Sequence, residues 1–198
     1  MAIVLSLLGF YSDVVTNGFK NRPPAHWTIK YWQWIYSKPR NESPLITGNI
    51  NCEEFVCLPC TGGGEDCGRK TVLSGKDAEK DILIPVFASE YSTAEVTNGT
   101  DEQLRKMARA MSEPMVMEAS LDSTALTPYY IESEPFTLEV PSNHSLENRT
   151  ALAGRYRAVS CGYWHRLKPL AKGKHTIKFG GSARNGFYTK VSYEIDVK

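Results

Sequence analysis

The stretch GFYTKVSYEIDVK (residues 186–198) alternates apolar and polar side chains along its whole length. Successive side chains of a β-strand point to opposite faces of a sheet, so the alternation predicts a strand with one buried side and one solvent-facing side. The predicted buried side carries Phe187, Thr189, Val191, Tyr193, Ile195 and Val197. The predicted solvent side carries Tyr188, Lys190, Ser192, Glu194, Asp196 and Lys198.

Further strand patterns precede this one at the spacing of hairpins. MVMEASLD (115–122) and PFTLEVP (135–141) alternate, and RYRAVSCGYW (155–164) and KHTIKFGG (174–181) follow after glycine-rich or lysine-rich turns. KDILIPVFASEY (80–91) is a continuous apolar run, which predicts a strand that is buried on both faces but either bulged or at a sheet edge near Pro85. Many short strands with turns between them favour an antiparallel β-sandwich.

Two helices are predicted, at about residues 25–37 and 101–112. The first, within AHWTIKYWQWIYSKP (25–39), has an apolar stripe at helical spacing formed by Trp27, Tyr31, Trp34 and Ile35. Trp32 and Tyr36 lie on the opposite side, where they would be available to a ligand. The second begins at the N-cap residue Thr100 and ends before Pro114. We therefore expect a mainly β protein with two short helices and a single domain over residues 1–198.

Four of the five cysteines lie within CEEFVCLPCTGGGEDC (52–67). The spacing fits a pair of disulfides, a zinc site made by all four thiolates, or free thiols, and four cysteines allow three disulfide connectivities. A thioredoxin-like redox site would need a helix after the CxxC motif to stabilise the thiolate. TGGGED follows Cys60 instead, so disulfides are the favoured interpretation, with zinc as the alternative.

Three segments resemble a family of small, mostly secreted microbial β-rich proteins of uncharacterised activity: YWQWIYSKPRNESPLITGNINC (31–52), RYRAVSCGYWHRLKPLAKGKHTIKFGGS (155–182) and YTKVSYEIDV (188–197). The resemblance implies secretion, a β-rich fold and a disulfide between Cys52 and Cys67. Cys57 and Cys60 are additions to the family pattern and would then close a small ring inside that loop. Cys161 stands where an acid is more typical, and His165 where an apolar residue is common, so the resemblance implies no catalytic residues.

The compartment is indicated by two opposing features. Four N-x-S/T sequons, at Asn41, Asn98, Asn143 and Asn148, and the cysteine cluster favour a secreted or cell-surface glycoprotein. Against secretion, no clear signal peptide is present, because the apolar run at residues 3–10 has no basic segment before it. The run is either a buried strand or the remnant of a leader. The run is too short to span a bilayer, so no membrane span is expected.

Charge is segregated along the chain. Residues 41–150 carry nineteen acids and eight bases, whereas residues 151–198 carry ten bases and two acids. Either the two segments pair across one fold, or the basic one forms a face for an anionic partner. The formal net charge of +1 argues against a dedicated nucleic-acid binder.

These observations predict a non-catalytic binding or structural module that is secreted or surface-associated. Its partner would be a polysaccharide or another anionic surface, and oligomeric state is left open. The expected contacts are Trp32, Tyr36, Trp164, His165, Lys168, Lys172 and Lys174, with Lys178 beside them. One alternative is a polysaccharide-active hydrolase or lyase; another is a metalloprotein with zinc on Cys52, Cys57, Cys60 and Cys67.

Cys161 and His165 share a strand face but lie roughly 13 Å apart along it, so a buried, inert Cys161 is expected instead of a nucleophile.

Overall fold

The computed structural model describes residues 21–60, 66–144 and 153–198, so the apolar run at residues 3–10 and the sequon at Asn148 lie outside it. The described chain is mainly β, with two sheets and three α-helices. The helices are α1 (Ala25–Tyr36), α2 (Pro44–Thr47) and α3 (Asp101–Met111), and 3-10 turns occur at Arg40–Glu42 and Gly75–Glu79. The strands are β1 (Asn51–Cys52), β2 (Phe55–Cys57), β3 (Asp66–Leu73), β4 (Ile82–Ser92), β5 (Pro114–Leu121), β6 (Thr124–Ala125), β7 (Tyr129–Glu132), β8 (Phe136–Val140), β9 (Gly154–Leu167), β10 (Gly173–Ala183) and β11 (Tyr188–Val197).

Both sheets are mixed. The first sheet has the order β1-β2-β4-β9-β7, with β8 also pairing with β9, and the second has the order β3-β11-β10-β5-β6. The expectation of purely antiparallel sheets is wrong at two pairs, because β2 runs parallel to β4 and β3 runs parallel to β11. Tight hairpins force antiparallel pairing, whereas strands joined by long connections are free to pair in parallel. Between β2 and β4 the chain leaves the first sheet to form β3 in the second, so its return is a long connection.

The two main helices begin and end close to their predicted limits. The Thr100 hydroxyl accepts from the Gln103 N–H, and the Gln103 side chain accepts from the Thr100 N–H, so a capping box starts α3. Proline precedes α1, whose N-terminus has no side-chain cap. None of the helices in the described ranges is both long enough and apolar enough to cross a membrane.

The core divides according to what covers each face of the first sheet. One face is covered by α1, through a cluster that includes Tyr31, Phe55 and Trp164. The other face meets the second sheet in a cluster with Ile84, Phe179, Tyr193 and other apolar residues, and it meets α3 at Leu104 and Ala108. Of the two alternatives predicted near Pro85, the bulge is found, as a register shift between Pro85 and Phe87 of β4. The second sheet therefore has one face in the core and one face turned outwards.

Candidate functional site: the outer face of the second sheet

The outer face of the second sheet follows directly from the alternation in β11. Val191, Tyr193, Ile195 and Val197 are all buried, as the sequence predicts. The residues between them point to the opposite side, away from the first sheet. We call this side, formed by β3, β11, β10, β5 and β6, the outer face.

A row of short side chains crosses the outer face on both sides of Lys178. The strand register places Lys178 between Ser192 of β11 and Ser120 of β5, and it continues the row to Gly68 on β3 and Ala125 on β6. Neighbouring strands lie about 4.8 Å apart, so this five-residue Lys178 row is about 19 Å long. Its other four members are small, so Lys178 has the only long side chain in this row.

Ion pairs flank the Lys178 row on each side. Lys190 Nζ lies 3.0 Å from an Asp66 carboxylate oxygen, and Lys70 Nζ lies 2.8 Å from a Glu194 carboxylate oxygen. These hydrogen-bonded carboxylates raise the pKa of Lys190 and of Lys70. Lys178 has no such carboxylate within ion-pair distance among the described residues, so its charge remains available to a ligand.

Gly180 lies next to the Lys178 row at a position that requires glycine. It lies between Lys190 and Glu118 in the register and has a φ of +149°. A Cβ at this position would collide with the Thr189 carbonyl oxygen, so both its backbone conformation and its surroundings require glycine.

The predicted lysines differ in their availability. Lys172 and Lys174 are exposed and, within the part of the chain that the structure describes, form no ion pair. Lys168 Nζ instead lies 3.0 Å from Asp81 Oδ2, so its charge is partly balanced. Lys174 and Lys178 lie on the same side of β10, about 13 Å apart along the strand. Tyr188, which is 38% exposed, lies towards the opposite end of the outer face.

The predicted aromatic platform is not at the surface. Trp164 and Tyr36 are buried, so the expectation that they are available for stacking is wrong. Trp32 is half-buried, and its Nε1 donates to Ser160 Oγ over 2.7 Å. The physical reason is that α1 lies directly on the first sheet, with the rings of Tyr31 and Trp32 packed edge-on against Trp164. These aromatic residues hold α1 in place.

His165 is also buried, at 3% exposure, and so is not a surface ligand contact. Its Nδ1 lies 2.9 Å from the Thr127 carbonyl oxygen, which fixes Nδ1 as the protonated nitrogen. Burial lowers the pKa of His165, and its buried Nε2 has no hydrogen-bond partner among the described residues. A neutral imidazole in the core accounts for these observations.

The cysteines pair differently from the expected connectivity. The disulfide joins Cys60 to Cys67, seven residues apart, while Cys52 and Cys57 are free and buried. The expected bridges Cys52–Cys67 and Cys57–Cys60 are therefore wrong. Cys52 faces the α1 side of the first sheet, whereas Cys67 belongs to β3 and packs against the core between the sheets. This separation prevents the expected pairing.

The four-cysteine zinc alternative also fails on this geometry. A tetrahedral site needs four converging ligands, and the bridge removes Cys60 and Cys67 from any such set. Over residues 21–60, 66–144 and 153–198, no group of three or more His, Cys, Asp or Glu side chains is placed to hold a metal ion.

Cys161 is buried between β9 and α3, as expected. Burial, with a contribution from the nearby Glu132, raises the pKa of its thiol to about 11. An activated nucleophile needs a lowered pKa, so the environment of Cys161 is opposite to that of a catalytic cysteine.

The segregated charges meet across the fold. Bases of residues 151–198 pair with acids of residues 41–150 in six contacts: Arg155–Glu139, Arg157–Asp101, Arg166–Asp81, Lys168–Asp81, His175–Asp122 and Lys190–Asp66. Five of the ten Lys and Arg side chains in residues 151–198 therefore pair with acids elsewhere in the fold. Lys172, Lys174, Lys178 and Arg184 form no ion pair among the described residues.

A shallow depression also occurs at the start of β5, where Glu113, Pro114, Met115 and Arg184 line it. None of the residues predicted to contact a ligand borders it.

Ser120, Ser192 and Gly68 were not predicted as site residues. The alternation in β11 places Ser192 on the solvent side, but only the register brings the three residues to Lys178.

Comparison with known proteins found no match: no family model, no curated protein and no solved structure is similar to this chain. The geometry of the outer face is thus the basis for any functional inference.

Proposed function

We propose that this protein is a secreted, non-catalytic binding module on a two-sheet sandwich, and that its ligand is an anionic polysaccharide lying on the outer face. The observation that carries the proposal is the Lys178 row: one cation without an ion-pair partner among the described residues, flanked by two serines and ending in Gly68 and Ala125. A row of about 19 Å across five strands suits an extended chain of a few sugar units better than a compact small molecule.

The chemistry of the row fits acidic sugars. The Lys178 ammonium would donate to a carboxylate or sulfate, and the Ser120 and Ser192 hydroxyls would donate to and accept from sugar hydroxyls. Lys172 and Lys174 extend the positive potential to one side of the row, along the direction of β10. The flanking pairs Lys190–Asp66 and Lys70–Glu194 would confine the chain to the row, since their charges are already satisfied.

Secretion is part of the proposal for two reasons. The Cys60–Cys67 bridge is the kind of bond that persists in oxidising compartments. Asn98 and Asn143 are exposed, so their sequons would be accessible for glycosylation. Asn41 is also exposed, but Pro44 directly after its sequon makes it a poor acceptor.

Affinity electrophoresis and calorimetry with alginate or polygalacturonate test the proposal, with neutral dextran as the reference. Lys178→Ala should weaken binding about tenfold, since a hydrogen bond to a charged group contributes about 1.5 kcal/mol and 1.4 kcal/mol corresponds to a factor of ten. Lys106→Ala is the matched control, because Lys106 is an exposed lysine of α3 and lies off the outer face. Equal loss in the two variants, or no preference over dextran, would refute the proposal.

A further inference from the structure

The β1–β2 hairpin places two free cysteines side by side. Its two-residue turn pairs Cys52 with Phe55, and the Cys57 N–H donates to the Ile50 carbonyl over 2.8 Å. Side chains alternate along each strand, so Cys52 and Cys57 lie on the same face of the hairpin at diagonal positions. That face is turned towards α1.

Both cysteines and Tyr31 of α1 belong to the same buried cluster on this side of the first sheet. Cys52 is 3% exposed and Cys57 is fully buried, in the cluster that also holds Phe55. Two thiols are thereby held together in a site that water does not reach.

We propose that Cys52 and Cys57 form a second disulfide when the protein folds in an oxidising compartment. Diagonal positions of a hairpin are about 7–8 Å apart between Cα atoms, and disulfides span up to about 6.8 Å, so closing the bond tightens the hairpin by roughly 1 Å. The hairpin can accommodate this change, because β1 is a two-residue strand at the edge of the first sheet.

The oxidant is a disulfide, either of glutathione or of a thiol–disulfide oxidoreductase. One thiolate attacks it and releases one thiol, and the second thiolate then displaces the other thiol from the mixed disulfide. Two S–H bonds and one S–S bond are lost, and one S–S bond and two new thiols are formed. Burial raises the pKa of Cys57 in the folded state, so the reaction belongs to the stage of folding before α1 covers the hairpin.

The test is to refold reduced, unfolded protein in a glutathione redox buffer, quench it in acid, and alkylate it under denaturing conditions without reduction. We expect one labelled cysteine, Cys161, which is the internal control because it is free and buried away from the other cysteines. Cleavage after Glu54, Leu58 and Glu65 places the four remaining cysteines on separate peptides, and mass spectrometry should recover the pairs 52–57 and 60–67. The double variant Cys60→Ser/Cys67→Ser should still lose two hydrogens on oxidation.

Three outcomes would overturn the proposal. The first is labelling of Cys52 and Cys57 alongside Cys161, and the second is a disulfide from either residue to Cys60 or Cys67. The third is a native mass that includes one soft metal ion, with Cys52 and Cys57 both labelled after the metal is removed by a chelator. The proposal does not depend on polysaccharide binding, so each can fail alone.

Discussion

His175 Nδ1 lies 2.7 Å from Asp122 Oδ2, where β5 ends beside β10, and His175 Nε2 lies 2.9 Å from the Ala171 carbonyl oxygen. Both partners are acceptors, so only the protonated imidazole satisfies both contacts. The Asp122 carboxylate accordingly raises the pKa of His175, and the His175 side chain, followed by the Thr176 N–H, lowers the pKa of Asp122.

This pair gives the protein a pH window of added stability. The His175 contribution is present below its unfolded pKa of about 6.5 and is lost as the pH rises through the raised value. The Asp122 contribution is present above about pH 3.9 and is lost as the pH falls through the lowered value. Asp122→Asn should therefore lower Tm more at pH 5.5 than at pH 8.5. Thermal unfolding at the two pH values measures this, and Glu118→Gln, a loss of charge elsewhere on β5, should show no such difference.

Protonation of His165 should affect the stability of the folded protein in the opposite direction to protonation of His175. Its pKa is lowered by burial, so the folded protein resists protonation while the unfolded chain takes up a proton near pH 6.5. Stability is thus lost as the pH falls from about 6.5 through the lowered value. His165→Asn, whose amide can still donate to the Thr127 carbonyl, should flatten the dependence of the free energy of unfolding on pH between 7 and 5. The exposed His26→Asn is the control; an unchanged slope in His165→Asn would contradict the assignment.

The Tyr193 hydroxyl should stabilise the contact between the second sheet and the cysteine segment. It is buried and donates to the Pro59 carbonyl oxygen, one residue before the Cys60–Cys67 bridge. Tyr193→Phe leaves that buried carbonyl without its donor and should lower the free energy of unfolding by about 1–3 kcal/mol. Urea denaturation of this variant and of Tyr163→Phe, a half-buried tyrosine in the first sheet, provides the comparison. Equal losses would show that the bond to Pro59 has no special role.

The capping box of α3 should contribute to stability independently of the core. Thr100→Ala removes the hydroxyl that accepts from the Gln103 N–H and should cost about 1 kcal/mol. Protein produced without glycans should be used, because Thr100 also completes the Asn98 sequon. Thr97→Ala, in the exposed loop just before the helix, should change the urea midpoint by much less.

Most of the secondary structure could be predicted from the sequence because it depends on local patterns. The alternation around Val191 and Tyr193 predicted which side of β11 is buried, and the capping residues with proline at the far end set the limits of α3. The bulge near Pro85 was predictable because proline cannot donate to the strand ladder. The parallel pairs could not be predicted in this way, since they are set by where long connections return.

The candidate site was only partly predictable. Composition indicated the lysines near β10, but which of them stay unpaired depends on acids far away in the sequence, such as Asp81 for Lys168. Trp164 and Tyr36 looked available because helical and strand patterns do not say which element lies on top of them. The position of α1 on the first sheet buries both.

By itself, the sequence determined the mainly β character of the chain, the two longer helices and the buried side of β11, because hydrophobic periodicity acts over a few residues. The tertiary structure alone decided two other features. Strand register brought Ser120 and Ser192 to Lys178 across separations that no local pattern encodes. The β1–β2 hairpin places Cys52 and Cys57 in the core beneath α1, whereas Cys60 lies close enough to Cys67 to form a disulfide. Whether two cysteines can form a disulfide depends on the distance between their side chains and not on their spacing along the chain.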